Sequence, residues 1–235
     1  MTRAYTIALD GSTYQGSIAL LRNSEIVAER TLGGQDGEMS RADKGSHAGR
    51  GDQLMPAIAS CIKEAGIKRD QIGCIVCGAG PGSFTSLRVA SSVAKGLAVG
   101  YGAPLYAVSS LLLTVTGARP TLPAGEYLSV LDAMRGDVFA ARIALRSDQT
   151  AIQTEPTALV SAEELSELAE RDPAVMVVGP GRKLDLHPRA RGVAPLLESL
   201  VEHPPVDLAS WEPDYGRLAE AQVRWEAAHG RPLPR

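Results

Sequence analysis

The stretch Ile72–Gly100, IGCIVCGAGPGSFTSLRVASSVAKGLAVG, restricts the fold more than any other part of the chain. It opens with an uncharged apolar run, Ile72–Cys77, the pattern of a strand covered on both faces of a sheet. Gly78, Gly80 and Gly82 around Pro81 force a tight turn, because glycine reaches positive φ at little cost. Ser83 and Thr85 are capping residue types, and a helix is predicted from there to Gly100. Leu87, Ala90, Ala94 and Leu97 form one apolar row on it, and Val89 and Val93 a second with Gly96 and Gly100. A helix this apolar needs covering on most sides, once by its own sheet and once by a closely approaching helix.

Strand, glycine turn and helix in that order raise a phosphate cradle, since free N–H groups at a helix N-terminus attract anions. The Walker pattern needs Lys and Ser/Thr directly after its last glycine, whereas Gly82 is followed by Ser83 and Phe84. The dinucleotide spacing G-x-G-x-x-G fails as well, because its third glycine would fall at Ser83. Two readings stay open: a turn that packs the helix onto the sheet, or one that holds an anion.

The segment GAGPGSFTSLRVASSVAKGLA resembles the signature of the TsaB (YeaZ) family. VSSLLLTVT from Val108, LDAMRGDVFAA from Leu131 and PDYGRLAEAQVRWE from Pro213 resemble further segments of that family, so the likeness spans the chain. It implies an α/β ASKHA fold, the duplicated architecture of actin, sugar kinases and Hsp70 ATPases, with two mixed-sheet domains flanked by helices. The expected division is an N-terminal domain over 1–118 and a C-terminal one over 119–213, with a last helix, 214–228, packing back on the first. The implied role is a non-catalytic subunit that binds TsaD and the P-loop ATPase TsaE. Together these make N6-threonylcarbamoyladenosine at position 37 of tRNAs reading codons that begin with A. ATP or ADP is a candidate at the interface of that complex, and tRNA is reached only through it.

Composition narrows the alternatives. A net charge of −3 and a pI near 5.8 argue against a surface that grips tRNA by itself. The N-terminus enters an apolar strand pattern at Ala4 with no cleavage site, and no uncharged run approaches a membrane span. Three cysteines fit a reducing cytosol, so a cytoplasmic, membrane-free protein is expected. Aromatics are only 4% of residues, so aliphatic side chains and alanine must fill the core.

Along the chain, strands are predicted over Ala4–Leu9, Gly16–Leu21 and Glu25–Leu32. Asp10, Ser12 and Thr13 fall in the first turn, where catalytic ASKHA proteins hold phosphate through a metal; Asp10 reads equally as a turn former bonding the amides after it. Residues 33–51 are polar and glycine-rich, a loop. A helix follows from Asp52, with Leu54, Ile58, Cys61, Ile62 and Ala65 on one face. Cys74 and Cys77 make a C-x-x-C, but residues three apart on a strand point to opposite faces, so they read as small hydrophobes. Asp132 occupies the second phosphate-loop position, and Gly179 and Gly181 that of an adenosine-binding loop; the Arg182 and Lys183 that follow hold a nucleotide or are merely solvated. Ser161 with Glu164 is a capping box. His47 has Gly51 four residues on, and no second histidine nearby, so no metal pair is expected.

Three functions compete: the scaffold subunit, an independent ASKHA ATPase or small-molecule kinase, and a metalloprotease, against which the missing histidine pair argues. For the scaffold, the expected partner surface is the pair of helices carrying Leu54, Ile58, Ser86, Arg88, Val89, Ala90, Val93, Ala94 and Leu97. Ser86, Ala90 and Ala94 put a small residue at every fourth position, which lets another backbone come close. The same face would pair two copies of the chain as a homodimer when TsaD is absent.

Overall fold

The computed structural model describes residues 3–33, 51–134, 136–217 and 228–230. Two mixed sheets form the frame, and they repeat one topology. In the first, β1 (Tyr5–Asp10), β2 (Ser17–Arg22) and β3 (Glu25–Thr31) are an antiparallel meander. The strand β4 (Ile72–Gly78) and then β5 (Leu105–Val108) add in parallel on the other side of β1. In the second, β6 (Gly125–Asp132), β7 (Asp137–Leu145) and β8 (Ala151–Gln153) repeat the meander, with β9 (Ala158–Ser161) also pairing to β7. The strands β10 (Met176–Gly179) and β11 (Leu184–Asp185) repeat the parallel additions. The orders β3-β2-β1-β4-β5 and β8-β7-β6-β10-β11 are therefore the same motif twice, which bears out the duplicated α/β fold.

Helices separate and cover these sheets. On one face of the first sheet lie α1 (Gly51–Glu64) and α2 (Phe84–Tyr101). Leu54, Ile58 and Cys61 of α1 and Ala90, Ala94 and Leu97 of α2 meet Ile7, Leu9, Ile18, Leu20, Ile75 and Cys77 there. Ala8, Ala19, Leu21 and Val76 point to the other face, as the strand period of two dictates. That face is covered by α3 (Ser110–Thr116), by a 3-10 helix at Ala190–Leu196 and by α5 (Leu197–Val201). Leu113 of α3 packs toward the first sheet, whereas Leu111 and Val115 pack toward Tyr127, Leu131, Ile143 and Val178 of the second. The far side of the second sheet is closed by α4 (Ala162–Arg171), through Leu165 against Leu128, Val130 and Val138. The boundary expected at 118/119 thus follows a helix that serves both sheets.

Local signals account for some helix ends, although the hydroxyl of Ser83 makes no cap hydrogen bond to α2. The Ser161–Glu164 capping box is formed in both directions, at 3.1 and 2.7 Å. The helix α2 ends at Gly102, whose φ of +59° places it in the left-handed region. Pro56 lies inside α1 beyond its first turn and deprives that helix of one backbone donor. Cys74 and Cys77 fall in the two opposite clusters of the first sheet; burial pushes the Cys74 thiol up to about 11 and that of Cys77 higher still. Both thiols are protonated at neutral pH and serve as packing groups.

Two expectations need correcting or restricting. The small-residue row of α2 does not await a partner: Ala90 and Ala94 are fully buried and Leu97 nearly so, all against the chain's own sheet. Leu54 and Ile58 of α1 are buried in the same core. A small residue every fourth position permits close packing of helix on sheet as readily as helix on helix, and the sheet takes it here. The last predicted helix falls mainly on 218–227, which with the 34–50 loop and its His47 lies outside the described residues. Residues 214–217 are not helical; Asp214 Oδ1 accepts from the Gly216 amide at 2.7 Å.

Candidate functional site

Asp10 ends β1, and its carboxylate is fully buried. Oδ1 accepts from the Ser12 amide at 3.0 Å and from Ser12 Oγ at 2.7 Å. Oδ2 accepts from Ser110 Oγ at 2.6 Å, and that hydroxyl in turn accepts from the Gly80 amide at 3.1 Å. The turn 78–82 is pressed onto this group. A Cβ on Gly78 would collide with Oδ2 of Asp10, and one on Gly82 with the carbonyl of Ser12. The amide of Ser83, the residue before α2, donates to that same Ser12 carbonyl at 2.7 Å. Burial drives the Asp10 carboxyl above its ordinary value, against the opposing pull of the Ser110 and Ser12 hydrogen bonds and of the Arg189 charge. Asp10 and Ser12 are thus locked inward, while Thr13 is half-buried and its hydroxyl bonds locally to Gln15. The glycine turn resolves in favour of packing: it closes over a carboxyl group with no face open to solvent.

The equivalent place in the second sheet is open. Asp132 ends β6, is exposed, and among the described residues accepts only the Met134 amide, at 2.8 Å. It lines a cleft of about 440 Å³ with Val130, Gly136, Asp137, Val138 and Pro180–Arg182. Gly179 packs directly behind, where a Cβ would strike the carbonyl of Val130; Gly181 donates its amide to Asp185 Oδ1 at 2.9 Å. The structure therefore gathers Asp132, Gly179 and Gly181 at one cleft and leaves Asp10, Ser12 and Thr13 out of its lining. Of the two cations after the glycines, Arg182 is half-buried in the cleft wall and Lys183 is exposed.

A strap of residues 211–217 joins the two regions. The Asp214 amide donates to the Ala79 carbonyl at 2.7 Å, beside the first turn. Tyr215 packs on Phe84 with ring centroids 4.6 Å apart, and the Arg88 guanidinium lies 4.2 Å over the Phe84 ring. Arg217 pairs with Asp137 across the second hairpin. Sequence reasoning missed Ser110, which stands 100 positions from Asp10, and the strap contacts, because no local pattern encodes pairings that distant.

The outer face of α1 and α2 remains exposed. Met55, Phe84 and Val99 are large apolar groups on it, with Arg88 exposed and Ser86, Val89 and Val93 half-buried. Of the residues expected at a partner surface, only Ser86, Arg88, Val89 and Val93 are accessible.

Comparison with known proteins follows the same lines. Residues 47–177 match the family model described as TsaD, tRNA N6-adenosine threonylcarbamoyltransferase. The tRNA threonylcarbamoyladenosine biosynthesis protein TsaB of Bacillus subtilis is 27% identical across 93% of this chain and 96% of its own length. Its Escherichia coli namesake is 29% identical over 57% of this chain and 52% of its own length. Among solved structures, YeaZ from Pseudomonas aeruginosa superposes with a TM-score of 0.69 at 22% identity, over 91% of this chain and 99% of that one. A P. aeruginosa protein described as similar to peptidase YeaZ gives 0.73 at 24% identity, over 92% and 100%; at such identities these likenesses speak to fold alone. With its doubled sheet, its glycine turn and a family model covering more than half its length, the chain belongs to the TsaB (YeaZ) family within the TsaD-type family.

Proposed function

We propose that this chain takes part in tRNA threonylcarbamoyladenosine biosynthesis as a non-catalytic subunit that binds a TsaD protein, with the ATPase TsaE joining the pair. The observation that carries the non-catalytic part is the sealing of Asp10. A carboxyl group enclosed by Ser12, Ser110 and Gly78 has no face left for a metal–phosphate complex. The pathway rests on the end-to-end likeness to the B. subtilis TsaB, a protein named for it. An acidic chain without a basic footprint meets tRNA through its complex rather than by itself. No helix among the described residues is long and apolar enough to cross a membrane.

The partner surface in this reading is the outer face of α1 and α2, with Met55, Arg88, Val89, Val93 and Val99 as its accessible residues. The same face pairs two copies when TsaD is absent, so homodimer and heterodimer compete. A second reading, an ATPase in its own right, draws on the open cleft at Asp132, where ATP or ADP would have to sit.

One reconstitution decides between them. With TsaD, TsaE, ATP and threonylcarbamoyl-adenylate, tRNA modification is expected to require this chain, while the chain alone leaves ATP intact. Val99→Glu, on a side chain 71% exposed, should leave the melting curve unchanged and abolish both self-association and TsaD binding. Modification that proceeds without the chain, or ATP turnover by the chain alone that Asp132→Ala removes, would overturn the proposal.

A further inference from the structure

Three arginines converge on a place that no part of the proposed function uses. Arg119 follows α3, and Arg189 and Arg191 flank the start of the 3-10 helix Ala190–Leu196. Arg119 Nη1 lies 3.2 Å from Oε1 of Glu29 on β3, and Arg191 Nε lies 3.2 Å from Oε2 of the same carboxylate. Arg189 Nη2 donates to Gln15 Oε1 at 3.0 Å. A guanidinium meets a carboxylate best through two parallel bonds, one to each oxygen. Here each oxygen serves a different arginine, so neither fork is spent on it. Nη1 of Arg189 and Nη1 of Arg191 are buried and, among the described residues, have no hydrogen-bond partner, and the contact of Arg191 Nε with Glu29 lacks hydrogen-bonding geometry.

The charge count points the same way. Three permanent cations face Glu29 and Asp10, and Asp10 is itself sealed by Ser12 and Ser110. Burial, and then the neighbouring charges of Arg119 and Arg189, make the Arg191 cation costly, with only Glu29 in its favour. The His187 ring beside Arg189 is held toward its neutral form by burial and by that guanidinium, so it adds no further cation to the cluster. All this lies in a chain whose net charge is −3, so the surplus is local rather than part of a basic surface.

We infer that Arg119, Arg189 and Arg191 form a binding site for one compact, phosphate-type anion, with Glu29 as the internal group that competes for them. A tetrahedral oxyanion offers acceptors in several directions and so can occupy the second N–H of each fork, which one planar carboxylate does not. Arg119, 61% exposed, is the accessible side of the site, and Arg191, at 17%, its inner wall. The confinement of the charge to three side chains favours a single small ion over a nucleic-acid backbone, which needs a stripe.

Calorimetric titration of the whole chain with inorganic phosphate, in chloride buffer, tests this. Saturable one-to-one binding is expected. Arg119→Gln should weaken it roughly tenfold, the loss of one charge-assisted bond, and Glu29→Gln should tighten it by removing the competitor. A purely structural cluster would give no gain in binding for Glu29→Gln. Arg119 and Glu29 are accessible enough for their variants to fold, so the test stands even where Arg191→Gln does not. Absence of saturable binding up to about 10 mM phosphate, or equal affinities in wild type and Arg119→Gln, would overturn the site. Tighter binding of a short single-stranded RNA than of phosphate, lost in Arg119→Gln, would overturn the compact-ion assignment.

Discussion

Two Gly-Pro-Gly turns stand at comparable places in the two sheets, Gly80–Gly82 after β4 and Gly179–Gly181 at the end of β10, and they end differently. The first leads into the 18 residues of α2 and is pulled down onto the loop after β1, with Gly82 against the Ser12 carbonyl. The second runs straight into two residues of β11, and a Cβ on Gly181 would meet nothing within 4 Å. The strand beside each turn ends in an aspartate. Asp10 is enclosed by hydroxyls from Ser12 and Ser110, whereas Asp132 has one backbone amide and an open cleft. The difference teaches that the tripeptide does not make a ligand site; what closes over it decides whether the turn is a packing device or an opening.

The sharpest way to break this comparison is to add one carbon to each turn region. Gly78→Ala drives a methyl group into the Asp10 carboxylate between two rigid strands, and should cost on the order of 3–5 kcal/mol, enough to remove cooperative melting. Gly181→Ala has room and bears only the strain of φ +69°, about 1–2 kcal/mol. Similar denaturation midpoints for the two variants would mean that the first turn is not tightly closed.

A smaller effect separates the aspartates. Ser110→Ala leaves a buried carboxyl oxygen without its donor and should cost about 1–3 kcal/mol. Asp132→Ala touches an exposed group and should stay within about 0.5 kcal/mol. Urea unfolding of both measures the gap, and a larger loss in Asp132→Ala would invert the roles assigned here.

The smallest expected effect lies in pH dependence. The folded state raises the Asp10 carboxyl above its ordinary 3.8, so the folded chain keeps a proton that the unfolded chain has released. The stabilisation from that proton is present at low pH and is lost as pH rises from 3.8 through the raised value. Asp10→Asn carries no such titration. Its melting temperature relative to wild type should therefore climb as pH rises above 3.8. A difference that stays flat or falls across that range would show a carboxylate stabilised in its charged form.

Much of this was legible in the residues. The uncharged run of β4, the glycine turn and α2 were placed to within a residue or two, because each carries its own local chemistry: apolar on both faces, positive φ, small and periodic. The Ser161–Glu164 box identified the start of α4 for the same reason. What the sequence did not disclose is which neighbour a face meets. Ala90 and Ala94 read equally well against a helix or a sheet, and only the register of β1 and β4 beneath them turns them inward. Likewise both candidate phosphate loops put an aspartate at a strand end, and the Ser110 that seals Asp10 arrives from another element.

The seven residues of α3 have a further consequence. Leu113 is sunk in the cluster of the first sheet, and Leu111 and Val115 in that of the second, each at 0–1% exposure. Proteins that clamp a ligand between two lobes need a seam along which the lobes can part. Here the seam is filled by a wall common to both rooms, and prising it open would wet about 1.5–3 kcal/mol of aliphatic surface for each side chain bared. Ser110, at the head of the same helix, ties that wall to the buried aspartate. The two halves are thus built to melt as one cooperative unit and to present a fixed outer face, as a rigid gauge does, rather than to open and close like a jaw.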